Sequence, residues 1–215
     1  MNKFLNTETA LSQQPSRHKI HYTHPKERDA FFLLPPHFAL PPWAAHFVAE
    51  RGRGPKLRVT TDLKTGRVKA CIVKIRVADL NVYSPLTPFD WRVSVNIELP
   101  LSPADFLSNG SGPPPSQEAP SEEQEQQFLA QLEPDQDAQV RVKDRMQYRH
   151  LIYTVDLTQV TLPDGAKVHE CEIEADAERV LREADRARRG EGNEFERAVG
   201  GLVANLRVMC RAGGY

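Results

Sequence analysis

At 215 residues and 24.3 kDa the chain suits one domain with a single core of reasonable size, and its 40% hydrophobic and 27% charged residues exclude wholesale disorder. Lys and Arg total 28 against 29 Asp and Glu, a net charge of -1, which excludes a polyanion-binding or membrane-binding surface spread over the whole molecule, so any such site must be local. Cys71, Cys171 and Cys210 are far apart with no CxxC pair, the first ten residues are too polar for a signal peptide, and no apolar run approaches the roughly 20 residues that span a bilayer; a reducing, intracellular setting for a soluble protein is expected.

In chain order, residues 31–55 carry Pro35-Pro36, Pro41-Pro42 and Arg51-Gly-Arg-Gly-Pro55, a density that predicts a long loop or insertion. Lys56 to Thr61, the Gly-containing turn Asp62 to Gly66, and Arg67 to Val77 read as a hairpin, and Trp91 to Leu99 as a further strand stopped by Pro100. Residues 101–138 form a low-complexity, acidic tract expected to be a disordered or weakly helical excursion between strands. Strand texture resumes in Gln139 to Tyr148, in Leu151 to Asp156 and, after the Pro163-Asp-Gly165 turn, in Lys167 to Ala175. Two helices close the chain: Ala177 to Arg189, with Val180, Leu181, Ala184 and Ala187 on one face, and a second with Asn193 as N-cap and Phe195, Ala198, Val199, Leu202, Val203, Leu206 and Met209 on its apolar face.

Side chains alternate faces along a strand. One face is apolar: Val73, Ile75, Val77; Val93, Val95, Ile97, Leu99; Cys171, Ile173. The other carries Arg58; Lys74, Arg76; Arg92, Ser94, Asn96, Glu98; Lys143, Arg145; and Glu170, Glu172, Glu174. A sheet with one face in water accounts for any single strand. The segregation of three carboxylates on one strand from paired bases on two others points further, to a sheet closed around a charged interior with helices on its apolar outside. Such an interior is stable only when a ligand or its own pairing compensates the charge. Carboxylate oxygens suit Mg2+ or Mn2+, and Arg and Lys suit phosphate, so metal-assisted phosphoryl transfer from a polyphosphate is the expected chemistry.

The segments Ile75-Arg-Val-Ala-Asp-Leu80 with Ser84-Pro85, Trp91-Arg-Val-Ser-Val-Asn-Ile-Glu98, Val142-Lys-Asp-Arg145 with Tyr148, Val155-Asp-Leu-Thr-Gln-Val160 and His169-Glu-Cys-Glu-Ile-Glu174 together resemble the fungal RNA 5′-triphosphatases of mRNA capping, members of the triphosphate tunnel metalloenzymes. The resemblance implies an α+β fold: an eight-stranded antiparallel β-barrel, the triphosphate tunnel, with the C-terminal helices packed outside. It implies hydrolysis of the γ-phosphate of 5′-triphosphate RNA with Mg2+ or Mn2+, in the nucleus, in partnership with the mRNA guanylyltransferase subunit, and it admits a homodimer. By the same resemblance Arg58, Lys143 and Arg145 hold phosphates, Lys74 lines the floor, Glu98 orients the attacking water, Asp156 and Thr158 support the network, Glu170, Glu172 and Glu174 form the carboxylate strand, and Glu172 and Glu174 ligate the metal. The family's tunnel begins with a Glu-x-Glu strand that is not found before Phe4, so residues 1–215 are expected to form one tunnel domain lacking its first strand. Two other functions stay open: a noncatalytic module that binds polyphosphate or a partner, and a general inorganic-polyphosphate or nucleotide triphosphatase.

Overall fold

The computed structural model describes residues 1–34, 40–49, 54–87, 89–101 and 121–213. Within them lie eight strands: β1 (His21–Thr23), β2 (Lys26–Leu33), β3 (Lys56–Asp62), β4 (Val68–Val82), β5 (Trp91–Pro100), β6 (Arg141–His150), β7 (Tyr153–Thr161) and β8 (Lys167–Ala175). Five helices accompany them: α1 (Asn2–Leu11), α2 (Pro42–Ala49), α3 (Glu122–Ala130), α4 (Ala177–Arg188) and α5 (Phe195–Ala212). The expected hairpin is β3–β4, turned at Asp62, whose carboxylate accepts from the Lys64 and Thr65 amides, and at Gly66, whose φ of 72° suits glycine. The expected strands over 91–99, 139–148, 151–156 and 167–175 are β5 to β8.

All ladders are antiparallel, in the order β5-β4-β3-β2-β6-β7-β8, and β1 joins β6 alongside β2: His21 faces Arg149, while Lys26 faces Asp144. Although β4–β5 and β8 stand at opposite ends of this order, the charges of Lys74 and Glu98 are felt at Glu174. The sheet therefore curls into a half-barrel whose edges, among the described residues, are β5 and β8. An open groove is what a tunnel lacking its first strand leaves.

Two apolar clusters cover the convex side. Leu57, Val59, Cys71, Val73 and Ile75 of β3 and β4 pack with Ala44 of α2 and with Phe128 and Leu132 in and after α3. Tyr148 and Leu157 of β6 and β7 pack with Leu5 of α1 and Met209 of α5. The Tyr153 hydroxyl donates to the Ala198 carbonyl of α5 at 2.8 Å, and a Cβ on Gly201 would lie 2.1 Å from that hydroxyl oxygen. Gly201→Ala is thus expected to cost about 1 to 3 kcal/mol through overpacking, read as a lower midpoint in chemical denaturation; an unchanged midpoint would show that Tyr153 can swing away freely.

Four expectations need correcting. The proposed loop over 31–55 begins with the end of a central strand and contains α2, which Pro42 starts because the first helical position needs no N–H; residues 35–39 and 50–53 lie outside the described residues. Of the tract 101–138, residues 102–120 likewise lie outside them, but α3 is no external excursion: Ser121 and Gln124 form a capping box, and Phe128 is fully buried in the core. In α4 only part of the expected apolar face packs, Val180 and Ala184 being half-buried. Leu181 is 67% exposed, whereas Glu183 is buried and accepts from the Glu194 amide at the start of α5, where unpaired N–H groups draw a carboxylate. The N-cap of α5 is Glu194, and Asn193 accepts from the Phe195 amide one residue early. All three cysteines are free, and among the described residues no helix is long and apolar enough to cross a membrane.

Candidate active site

Strand registers place the charged residues on the concave face. Arg58 pairs with Phe31 and Ile72, Lys74 with Glu98, Arg76 with Asn96, Asp29 with Thr60 and Arg141, Arg145 with Thr158, Gln147 with Asp156, Thr158 with Glu170, Asp156 with Glu172 and Thr154 with Glu174. In an antiparallel ladder, residues directly opposite share a face. The groove thus has a basic wall from β3 and β4, a mixed floor from β2 and β6, and an acidic wall from β7 and β8.

The floor is the most desolvated part. Lys143 Nζ lies 2.5 Å from Asp29 Oδ2, with the two side chains 8% and 1% exposed, and Thr60 Oγ1 donates to Asp29 Oδ1 at 2.7 Å. Burial alone would raise the Asp29 pKa; the Lys143 ammonium, the Thr60 hydroxyl and the Arg58 charge together outweigh it and hold the carboxyl below its ordinary range. Arg145 Nη1 donates to Asp156 Oδ2 at 2.9 Å. Here burial wins, reinforced by the Glu172 carboxylate, and the Asp156 pKa is raised despite Arg145. Glu174 is also raised, first by burial and then by Glu172 and Asp156, with Lys74 opposing.

On the basic wall, Glu98 takes Lys74 at 3.1 Å and Arg58 at 3.9 Å. Glu170 pairs with Arg141. Arg92 shares the face but sits on the exposed far arm of β4–β5, donating to Asn81 at 2.7 Å, and Arg76 pairs with Asp79 across the bulge in β4. Of the residues singled out in the sequence, Arg92 therefore stands farthest from the others. Arg58 Nε, Asn96 Oδ1, Arg145 Nε, Asp156 Oδ1 and Thr158 Oγ1 are buried without a hydrogen-bond partner, and all lie on this one face. Native interiors rarely leave such atoms unpaired unless a ligand or water completes them. Asp29, Thr60 and Arg141 were missed in the sequence, because charge on each of residues 26–29 hides the alternation of β2.

The crowding of Asp156 and Glu174 around the Glu172 carboxylate, which disfavours the charge of both, and the unpaired Asp156 Oδ1 are what a carboxylate site for a hard cation would show. The donor set is sparse, however: no three His, Cys, Asp or Glu side chains among the described residues gather closely enough to hold a metal by themselves.

A family model for the mRNA capping enzyme beta chain matches residues 1–213. This chain belongs to that family. It is 30% identical to the mRNA-capping enzyme subunit beta of Schizosaccharomyces pombe over 98% of its own length and 57% of the relative's, and 30% identical to that of Cryptococcus neoformans over 74% of its length and 29% of the relative's. The solved structure of the S. pombe RNA triphosphatase Pct1 superposes with a TM-score of 0.68 at 28% identity, covering 98% of this chain and 66% of that one, and the same protein has been solved in complex with the Spt5 CTD. The half-barrel with outer helices thus matches the fold of that solved relative over the 66% of it that this chain covers. The chain spans 57% of the S. pombe relative's length.

Proposed function

We propose that the groove is the catalytic face of an RNA 5′-triphosphatase that removes the γ-phosphate from triphosphate-ended RNA as the first step of mRNA capping. What carries the reading is the opposition of basic and acidic walls, with Arg58 Nε, Arg145 Nε and Asp156 Oδ1 buried and unpaired between them. Arg58, Lys143 and Arg145 bind the phosphates, Arg as a fork and Lys as a point charge, while Lys74, expected on the floor, stands on the basic wall of β4 beside Glu98. Phosphate competing for Lys74 frees Glu98 to accept a proton from the attacking water. Glu172 and Glu174 hold the divalent cation, Mg2+ or Mn2+, with Asp156, Thr158 and Glu170 orienting the surrounding side chains. That cation, when bound, neutralises charge developing on the transferred phosphoryl group. The relatives' name, a beta subunit of the capping enzyme, supports work in a capping assembly; the family resemblance extends this to the nucleus, a guanylyltransferase subunit and a second copy of the chain.

The open edges and the sparse donor set favour a second reading, a phosphate-binding module without turnover. Phosphate release from triphosphate-ended RNA, a nucleoside triphosphate and inorganic tripolyphosphate, each with Mg2+, Mn2+ or chelator, separates the readings. Release from RNA that needs the cation and falls at least tenfold in Glu174→Gln is expected. Release that persists in chelator would sink the metal assignment; tight binding with no release from any substrate would favour the module.

A further inference from the structure

The groove continues past Glu170, away from Glu172 and Glu174, into a cavity of about 500 Å³ walled by Phe31, Lys56, Arg141, Val160, Leu162 and Val168. Its rim is fixed in place. The segment after α3 runs along the end of β2, with the Leu33 amide donating to the Glu133 carbonyl at 2.9 Å and the Asp135 amide to the Phe31 carbonyl at 3.0 Å, and the Asp135 carboxylate pairs with Lys56. Phe31, Val160, Leu162 and Val168 make an apolar surface inside a groove that is otherwise charged. Phosphate and metal gain nothing from such a surface, since polar groups lose solvation against it. An open cavity of this size, with these apolar residues set among Lys56, Asp137, Arg141 and Glu170, suits a small organic moiety that carries polar groups.

The cavity is continuous with the phosphate-binding part. Phe31 and Lys56 also line the adjoining space bounded by Arg58 and Lys74, and the Arg141–Glu170 ion pair stands between the cavity and the acidic wall. Along β8, Val168 precedes Glu172 by four residues, about 13 Å of strand, a distance that a linear triphosphate carrying a sugar can bridge. We propose that this cavity binds the 5′-terminal nucleoside of the substrate, with the base stacked on Phe31 against Val168 and the ribose toward Arg141. The assignment rests on the triphosphatase reading above and deepens it: the groove recognises a nucleoside-bearing triphosphate rather than polyphosphate alone. Stacking accepts any base, as an enzyme acting on many transcripts requires.

Two variants test it in opposite ways, Phe31→Ala removing the stacking face and Val168→Trp filling the space. Equilibrium binding to the whole 215-residue chain is measured for a 5′-triphosphate-ended oligoribonucleotide and for inorganic tripolyphosphate. Each variant is expected to weaken the oligonucleotide about tenfold, the effect of one lost base stack, and to leave tripolyphosphate within twofold. Unchanged oligonucleotide binding in both variants overturns the subsite while leaving the triphosphatase reading intact. Parallel loss of both ligands also overturns it, because the substitutions would then act on the groove as a whole. A wild-type chain that holds tripolyphosphate but not the oligonucleotide overturns the RNA reading itself, and the subsite with it.

Discussion

Asp29→Asn is expected to destabilise the protein by about 3 to 5 kcal/mol, because it leaves the Lys143 ammonium buried without a counter-charge. The side chains are 1% and 8% exposed, so water cannot easily replace the lost carboxylate. The Asn amide oxygen can still accept from Thr60, which retains the neutral hydrogen bond and isolates the charge. The acid dependence gives a second readout. Since the folded-state pKa of Asp29 is depressed, its contribution is complete above the ordinary carboxylate value of about 3.9 and is lost as pH falls through the lower folded-state value. The stability gap between wild type and variant should therefore be constant near neutrality and narrow only below about pH 4. A gap under 1 kcal/mol at pH 7 in urea unfolding would mean that Lys143 reaches another partner, and a gap that closes well above pH 5 would assign the acid dependence to other groups.

The same floor shows why the sequence was legible in some places and opaque in others. Strands whose inner face is charged and outer face apolar, such as β5 and β8, announce themselves by period two, and their Arg, Lys and Glu could be assigned to one face before any coordinates. The turns at Gly66 and Gly165 follow from the chemistry of φ > 0, and both glycines have it. By contrast β2 opens Lys26-Glu-Arg-Asp29, with charge on successive residues, so alternation is hidden and a central strand looks like a loop. Its identity comes from pairing with β3 and β6, which is tertiary information. Helix α3 was masked by its composition: one Phe among Glu and Gln reads as solvated, yet Phe128 and Glu125 are both buried, Glu125 because it accepts twice from Arg67 and once from the Val68 amide. Site residues followed the same division. Groove-lining residues that alternate on well-marked strands could be placed on one face; Asp29 and Arg141, whose place depends on their partners, could not.

Supplying a strand to the gap between β5 and β8 is expected to raise turnover on triphosphate-ended RNA on the order of 100-fold over the 215-residue chain, a difference of about 2.7 kcal/mol in barrier. Among the described residues both edges leave backbone N–H and C=O groups that can pair with an added strand, and β8 carries the exposed Glu172 at that edge. A strand seated there would face its inward side chains toward Glu174, Lys74 and Glu98. If those side chains are carboxylates, as in the Glu-x-Glu strand that the family resemblance implies, they supply the oxygens that Glu172 and Glu174 alone do not, and the cation is held with fewer waters. On the proposed assignment Arg58, Lys143 and Arg145 would meet phosphate charge already present in the ground state, so phosphate affinity should change much less than turnover, which a bound cation would raise by neutralising charge that develops in the transition state. The decisive comparison sets manganese-dependent phosphate release by the 215-residue chain beside release by a longer version extended ahead of Met1, with a control in which the added Glu-x-Glu is Gln-x-Gln. A rate that rises with the Glu version and not with the Gln version assigns the gain to metal ligation; a rise with both assigns it to closing the sheet; equal rates in all three would show that the metal site is complete within these residues.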